Sequence, residues 1–500
     1  MILKEYAIIP RPKSVQYKTD IFECPGLPRI IELDKAIFPD EVKIFERQIT
    51  EIFGTCTGKE NIHLIKDESI RGNEAYRLEI LRDEIKLYAA AGAGIFRGLQ
   101  VLRQLFLSDY NNGIFSVTCG IINDSPRFPW RGFMLDCSRH FFTTDFIKKI
   151  LDTLSLQHIS IFHWHLTDDQ GWRFPVGKYP LLTEIGGRCR DYRDRRYNGG
   201  FYTEDEIRDI VAYAASLHIE TVPEVDLPGH ASAILAAYPG LGCTGGPYRV
   251  EDRCGIFEDV LCAGNDQIFS LAEAVFDTLS DLFPSKYVHI GGDEVRFNRW
   301  KACPKCRKRM NELGLDETPQ LQSWITCRLA EMLRDRGKTA IGWDEILENT
   351  GKFPVPKDTV VMSWRGQKGG SEAAVLGHRV IMTPYNCGCY LDYRHKDLPE
   401  EIGRLGIGTV EQGYNMDPVT AEMDEKAAAL VLGGQGNLWT ENVFAGKLAE
   451  YLIFPRICGI SEALWSVKDE RDFNNFTERL EIHRRRLDKL GLLQYRGPLS

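Results

Sequence analysis

Residues 127–500 carry eight short apolar stretches separated by amphipathic helical patterns, and nearly every stretch ends in a polar or aromatic cluster. No Gly-x-Gly-x-x-Gly follows the first of them. These observations predict an α/β chain: a (β/α)8 TIM barrel with inserted loops and C-terminal helices, preceded by a small α+β domain over residues 1–126. A doubly wound open sheet is the competing architecture, and the missing glycine motif weakens its dinucleotide-binding form.

The first 126 residues justify the smaller unit. An extended entry, Ala7-Ile-Ile-Pro-Arg-Pro-Lys-Ser-Val, sets prolines at turn positions. Residues 76–81 alternate like a half-buried strand, and residues 85–90 follow as a hairpin partner. Ile95, Leu99, Leu102 and Phe106 then recur at helical spacing, and residues 116–122 read as a further strand. No catalytic constellation is visible here, so a structural companion is expected.

Past Asp124-Ser-Pro-Arg-Phe-Pro-Trp130 the rhythm changes. Strands are expected at 132–136, 159–166, 219–225, 287–291, 339–343, 360–364, 379–384 and 429–433. Phe146, Ile150, Leu151 and Leu154 share one helical face. Thr203-Glu-Asp-Glu206 is a capping box opening the next helix. Thr318-Pro319 starts another, which Gly337 ends. The fifth and sixth strands are joined by a short Pro/Lys-rich segment, so that helix is expected to be missing or reduced.

The chain has 500 residues, 43% of them apolar and 11% aromatic, enough for a large core. A net charge of −9 argues against a broad nucleic-acid surface. No run approaches the ~18 apolar residues of a membrane span. The start, Met1-Ile-Leu-Lys-Glu-Tyr6, does not read as a signal peptide, so a cytoplasmic location is expected, with the fourteen Cys reduced and mostly buried. Cys303-Pro-Lys-Cys306 has zinc spacing but no clear second pair, and Cys387 and Cys389 stand too close together to supply one. Neither a metal nor a cofactor is expected. A monomer or homodimer is.

In a barrel the C-terminal strand ends open at one face, where active sites lie. They would gather Asp136-Cys-Ser-Arg139-His140, His163-Trp-His165-Leu-Thr-Asp168, Glu224-Val-Asp226-Leu-Pro-Gly-His230, Asp293-Glu294, Trp343-Asp344-Glu345, Trp364-Arg365, Tyr390-Leu-Asp392 and Trp439-Thr-Glu441. Tyr287-Val-His-Ile-Gly-Gly-Asp-Glu294 is the stretch around which they are arranged: a short buried strand that delivers two adjacent acids through two glycines. Adjacent acids repel, so their pKa values are expected to part, one staying protonated while the other stays charged. The ring lacks a Ser-His-Asp set, a phosphate loop and a convincing metal triad. Aromatic walls with hydroxyl-pairing acids suit a sugar, and cleaving a glycosidic bond needs an acid for the leaving oxygen.

The chain resembles the β-N-acetylhexosaminidases of glycoside hydrolase family 20. The matching stretches are Asp124-Ser-Pro-Arg-Phe-Pro-Trp-Arg-Gly, Leu135-Asp-Cys-Ser-Arg-His, Phe162-His-Trp-His-Leu-Thr-Asp-Asp-Gln-Gly-Trp-Arg, Pro223-Glu-Val-Asp-Leu-Pro-Gly-His, His289-Ile-Gly-Gly-Asp-Glu-Val and Leu438-Trp-Thr-Glu, in the family's order. The resemblance implies exo-acting, retaining removal of terminal β-linked GlcNAc or GalNAc from a glycan or glycoconjugate, with the substrate's 2-acetamido oxygen as nucleophile and an oxazolinium intermediate. It implies Glu294 as acid and base and Asp293 as acceptor of the acetamido N–H. Tyr390 would donate to the acetamido oxygen, and Asp168 and His230 would hold the acid. Arg139 would bind the 3- and 4-hydroxyls, Asp392 the 6-hydroxyl and Glu441 the 4-hydroxyl, with Trp343, Trp364 and Trp439 walling the pocket. Gln435-Gly-Asn437 and the cysteine-bearing approach Tyr385-Asn-Cys-Gly-Cys-Tyr390 depart from the family pattern and are expected to bear on the leaving-group side. The alternatives are a wider-pocket relative of the lacto-N-biosidase kind, a sugar-binding barrel without catalysis, and a hydrolase using two distant carboxylates.

Overall fold

The structure, a computed structural model, describes residues 5–55, 57–189, 199–394 and 403–500. Residues 1–4, which open the stretch read for a signal peptide, lie outside these. Eight parallel strands close into a barrel: β1 Trp130–Asp136, β2 Ile161–His165, β3 Glu220–Glu224, β4 Tyr287–His289, β5 Thr339–Trp343, β6 Val360–Ser363, β7 Val380–Met382 and β8 Val431–Leu438. β8 pairs with β1 over Gly433–Leu438, which completes the ring. The expected strands are all present. They were visible because strands buried on both faces read as continuous apolar runs.

The eighth strand runs further than expected. It continues from Val431 through Gln435-Gly-Asn437 to Leu438, all buried from Gly433 onward. Its polar residues turn inward: Gln435 accepts from Trp130 Nε1 at 3.1 Å and pairs with His163 Nδ1 at 3.0 Å. The departure at Gln435 is therefore part of the barrel interior, not of the leaving-group side. Asn437 bridges Tyr390 through the backbone, with Leu391 N donating to Asn437 O at 2.9 Å and Asn437 N to Cys389 O at 2.7 Å. It positions the loop that carries Tyr390.

Helices α1 Thr144–Ser155, α2 Glu204–Ser216, α3 Gln267–Leu282, α4 Pro304–Leu313 and α5 Gln320–Arg334 surround the ring. Thr203 caps α2 with both bonds of the expected capping box. Between β5 and β6 only a 3-10 turn, Asp344–Leu347, replaces a helix, as the short connection predicts. The N-terminal unit is a seven-stranded sheet with helices Pro39–Phe53 and Gly92–Asp109. Residues 76–80 and 85–89 pair antiparallel as expected, while the long strand Ser14–Pro25 was not legible beyond its proline-rich entry. This unit is locked to the barrel by buried polar contacts: Arg103 to Asp152 of α1 at 2.6 Å, and Trp465 Nε1 to Asp124 Oδ1 at 3.0 Å. No helix among the described residues is long and apolar enough to cross a membrane.

Candidate active site

The residues expected to act all lie at or after the C-terminal ends of the eight strands, and a chain of contacts joins them. Gly291 and Gly292 carry β4 into Asp293-Glu294 with φ of +68° and +92°. A Cβ on Gly291 would stand 1.8 Å from Asp226 Oδ1, so only glycine lets the third and fourth strand ends approach this closely. Gly292 N donates to that same Asp226 oxygen at 3.1 Å. Glu294 itself holds φ +51°, a backbone conformation unusual for a side chain of its size.

Behind the acids stands His230. Its Nε2 lies 3.6 Å from Glu294 and 3.7 Å from Asp293, and its Nδ1 meets Asp168 at 3.1 Å and Asp169 at 3.0 Å. Burial opposes a charged imidazole here, but Asp168, Asp169 and Glu294 outweigh it and hold the His230 pKa well above its usual value. Asp168 is buried too, yet Arg139 at 2.8 Å, His230 and His165 keep it ionised, well below the usual carboxylate range. A further layer lies beneath. Buried Glu224 pairs with His165 Nδ1 at 2.6 Å and with His163 and His289 at 2.9 and 3.0 Å, and accepts from Trp343 Nε1 at 2.9 Å. Glu224 and Asp168 together raise His165, whereas burial pushes His163 down to about 4.

Asp293 is arranged differently from its neighbour. Burial and then the adjacent Asp226 carboxyl raise its pKa well above the carboxylate range, with His230 opposing. Burial lifts Asp226 to about 6. The like charge that acts most on Asp293 is thus Asp226 from the third strand, ahead of the sequence neighbour Glu294. Asp293 Oδ1 is buried with no hydrogen-bond partner among the described residues.

The aromatic wall continues round the mouth. Arg139 lies over the Trp439 ring at 5.0 Å; Trp439 is 5.8 Å from Trp343 and 6.2 Å from Tyr390, and Tyr390 stacks parallel to Trp364 at 6.3 Å. Trp364 Nε1 donates to Glu345 at 2.9 Å; burial and then Asp293 raise this carboxyl to about 9. Asp392 and Glu441 are joined by Arg404, at 2.8 and 2.6 Å, while Asp392 Oδ1 is buried without a partner among the described residues. All eleven expected residues therefore meet at one mouth. The sequence reading did not assign Asp226, Asp169, Glu345 or Arg404. The first three sit inside strand-end motifs next to assigned residues, but their partners come from other strand ends, so sequence alone does not mark them. Arg404 lies far from any motif and carried no signal.

The family model described as "Glycosyl hydrolase family 20, catalytic domain" matches residues 128–468, and "Glycosyl hydrolase family 20, domain 2" matches residues 5–125. A β-hexosaminidase of Porphyromonas gingivalis is 40% identical over 85% of this chain and 55% of its own length. One of Akkermansia muciniphila is 34% identical over 85% of this chain and 86% of its own. The chain thus spans about half the length of the first relative and most of the second. Among solved structures, an exo β-N-acetylglucosaminidase of Vibrio harveyi in complex with N-acetylglucosamine superposes with a TM-score of 0.89 at 30% identity, covering 100% of this chain and 79% of that one. A Streptomyces plicatus N-acetyl-β-hexosaminidase in complex with Thio-NAglucal gives 0.85 at 29% identity, covering 99% and 97%.

Proposed function

This chain belongs to glycosyl hydrolase family 20, and from that premise we propose that it is an exo-acting, retaining β-N-acetylhexosaminidase releasing terminal β-linked GlcNAc or GalNAc. The observation that carries the proposal is the buried Asp293 Oδ1: an acceptor without a donor, beside Glu294 and within a ring of Trp343, Trp364 and Tyr390. An acetamido N–H is a donor of the right kind, and burying such an acceptor unpaired is costly.

The chain's residues then divide the work. Glu294 protonates the glycosidic oxygen as the bond from C1 breaks, while the 2-acetamido oxygen attacks C1 and closes an oxazolinium ring. Tethering the nucleophile in this way is worth up to about 7–11 kcal/mol in well-oriented cases. Asp293, backed by the Asp226 carboxyl, accepts the N–H and stabilises the cation. Tyr390 donates to the acetamido oxygen and the tryptophans hold the group against it. Glu294 then takes a proton from water, which opens the ring at C1 with net retention. Arg139, Asp392 and Glu441 bind the sugar hydroxyls; Asp168 and His230 hold Glu294 in place.

A cytoplasmic, reducing location is proposed with it, on described cysteines that are not joined in disulfides. The test is hydrolysis of aryl β-glycosides of N-acetylglucosamine, N-acetylgalactosamine and plain glucose. Cleavage of the first two alone is expected, and equal cleavage of the glucoside would return the mechanism to two protein carboxylates. Sugar binding without any cleavage would favour a lectin or a wider pocket.

A further inference from the structure

Four cysteines gather beside the loops that carry His230 and Glu294. Cys243, Cys262, Cys303 and Cys306 place their sulfurs within 4.8 Å of one another. The closer separations are 3.6 Å for Cys262–Cys306, and 3.8 Å for both Cys243–Cys306 and Cys262–Cys303. A disulfide needs about 2.05 Å, so these thiols are not bonded to one another. A tetrahedron of sulfurs around zinc, with Zn–S near ~2.3 Å, has edges of about 3.8 Å. We infer that these four cysteines form a structural zinc site that clamps the loop after β3 to the loop after β4.

The surroundings are built for such a site. Cys303 is the N-cap of α4 and Cys306 lies in its first turn, where backbone N–H groups favour anionic sulfur. That first turn contains no acidic residue, which would compete with thiolate charge. The other two ligands are brought together by a small antiparallel bridge: Gly242 pairs with Leu261, and Cys262 N donates to Leu241 O at 2.8 Å. Gly264 lets the two halves close, since a Cβ there would stand 2.2 Å from Lys305 C and 2.6 Å from Cys306 N. Cys262, Cys303 and Cys306 are buried and Cys243 is half-buried, which leaves one side for ion entry.

The clamp also answers a structural need. From Gly242 to Asp266 the chain forms no helix and no strand longer than a single bridge. Loops beyond ~12–15 residues without structure of their own are uncommon in compact domains. This one is anchored at Leu261, beside Cys262, to both strand-end loops. Leu261 N donates to Pro228 O at 3.1 Å, two residues before His230; Trp300 Nε1 donates to Leu261 O at 2.8 Å, six residues after Glu294. All four ligand positions would be filled by protein, so the ion has no open position for substrate and stays outside the chemistry. On binding, one Zn2+ replaces four thiol protons, giving a dianionic tetrathiolate centre.

The test is metal content of the whole chain, purified under reducing conditions and freed of loosely held metal by gel filtration. One zinc per chain is expected. Cobalt substituted during growth should give thiolate-to-metal charge-transfer and intense tetrahedral d–d absorption. Cys262→Ser and Cys303→Ser should each lose at least nine-tenths of the metal and melt lower, whereas Cys327→Ser, outside the cluster, should keep the full complement. Wild-type protein without metal, iron in place of zinc, or a non-reduced mass two or four hydrogens light would overturn the assignment. These readouts stand apart from hydrolysis, so they hold whatever sugar the mouth accepts.

Discussion

At Asp293, burial and the Asp226 carboxyl push in one direction, toward the protonated form, while Glu294 is left to face His230. Burial lifts Asp226 to about 6, so its negative charge beside Asp293 is present above that pH and lost below it. Raised carboxyl pKa values mean that the charge is lost as pH falls, so kcat should drop on the acid side as pH passes through about 6. Asp226→Asn should move or remove that limb in a pH–kcat profile, and an unmoved limb would contradict the part given to the Asp226 charge. Glu294→Gln should cut turnover by about 10²–10⁴-fold for alkyl leaving groups and much less for an activated aryl group, which needs little acid help. Equal losses on both would remove Glu294 from the acid role.

Among the elements, β4 bears the tightest constraint. It is only three residues long, and the chain leaves it through Gly291 at the point where Asp226 from the neighbouring strand end fills the space of a Cβ. Gly291→Ala should cost about 1–3 kcal/mol in backbone strain, with a further cost for displacing Asp226. A lower Tm together with a shifted acid limb is the expected outcome of thermal unfolding and the pH profile, and an unchanged melting curve would contradict the packing. The strands were legible because the barrel buries both their faces; the capping box at Thr203 was legible because its two bonds need only local sequence. Gln435-Gly-Asn437 was not. Glycine and asparagine are poor strand formers, and only the pairing with β1 and the inward bonds to Trp130 and His163 hold them extended. Asp226 was visible as a residue, but its pairing with Asp293 was not, because it arises between two strand ends rather than along one.

Across the whole molecule, the N-terminal sheet and the barrel share buried charges. Arg103, 1% exposed on helix Gly92–Asp109, reaches Asp152 of α1. Arg103→Ala leaves that carboxylate short of its closest cation and should destabilise the protein by about 3 kcal/mol. The two units should still melt in one calorimetric transition, and a separate early transition would contradict their coupling. The cysteine cluster shows the same limit of reading at this scale. Cys303-Pro-Lys-Cys306 was recognisable by spacing, but its partners Cys243 and Cys262 lie far apart in sequence and meet it only through the fold.

The central claim is that the substrate's own acyl oxygen attacks C1, and one series tests it most directly. The measurement is kcat/KM for aryl β-glucosaminides whose N-acetyl group is successively mono-, di- and trifluorinated. Fluorine withdraws electron density from the acyl oxygen and should lower the rate steeply with each addition. A rate that stays level across the series would mean that a protein carboxylate attacks instead, and would contradict the account.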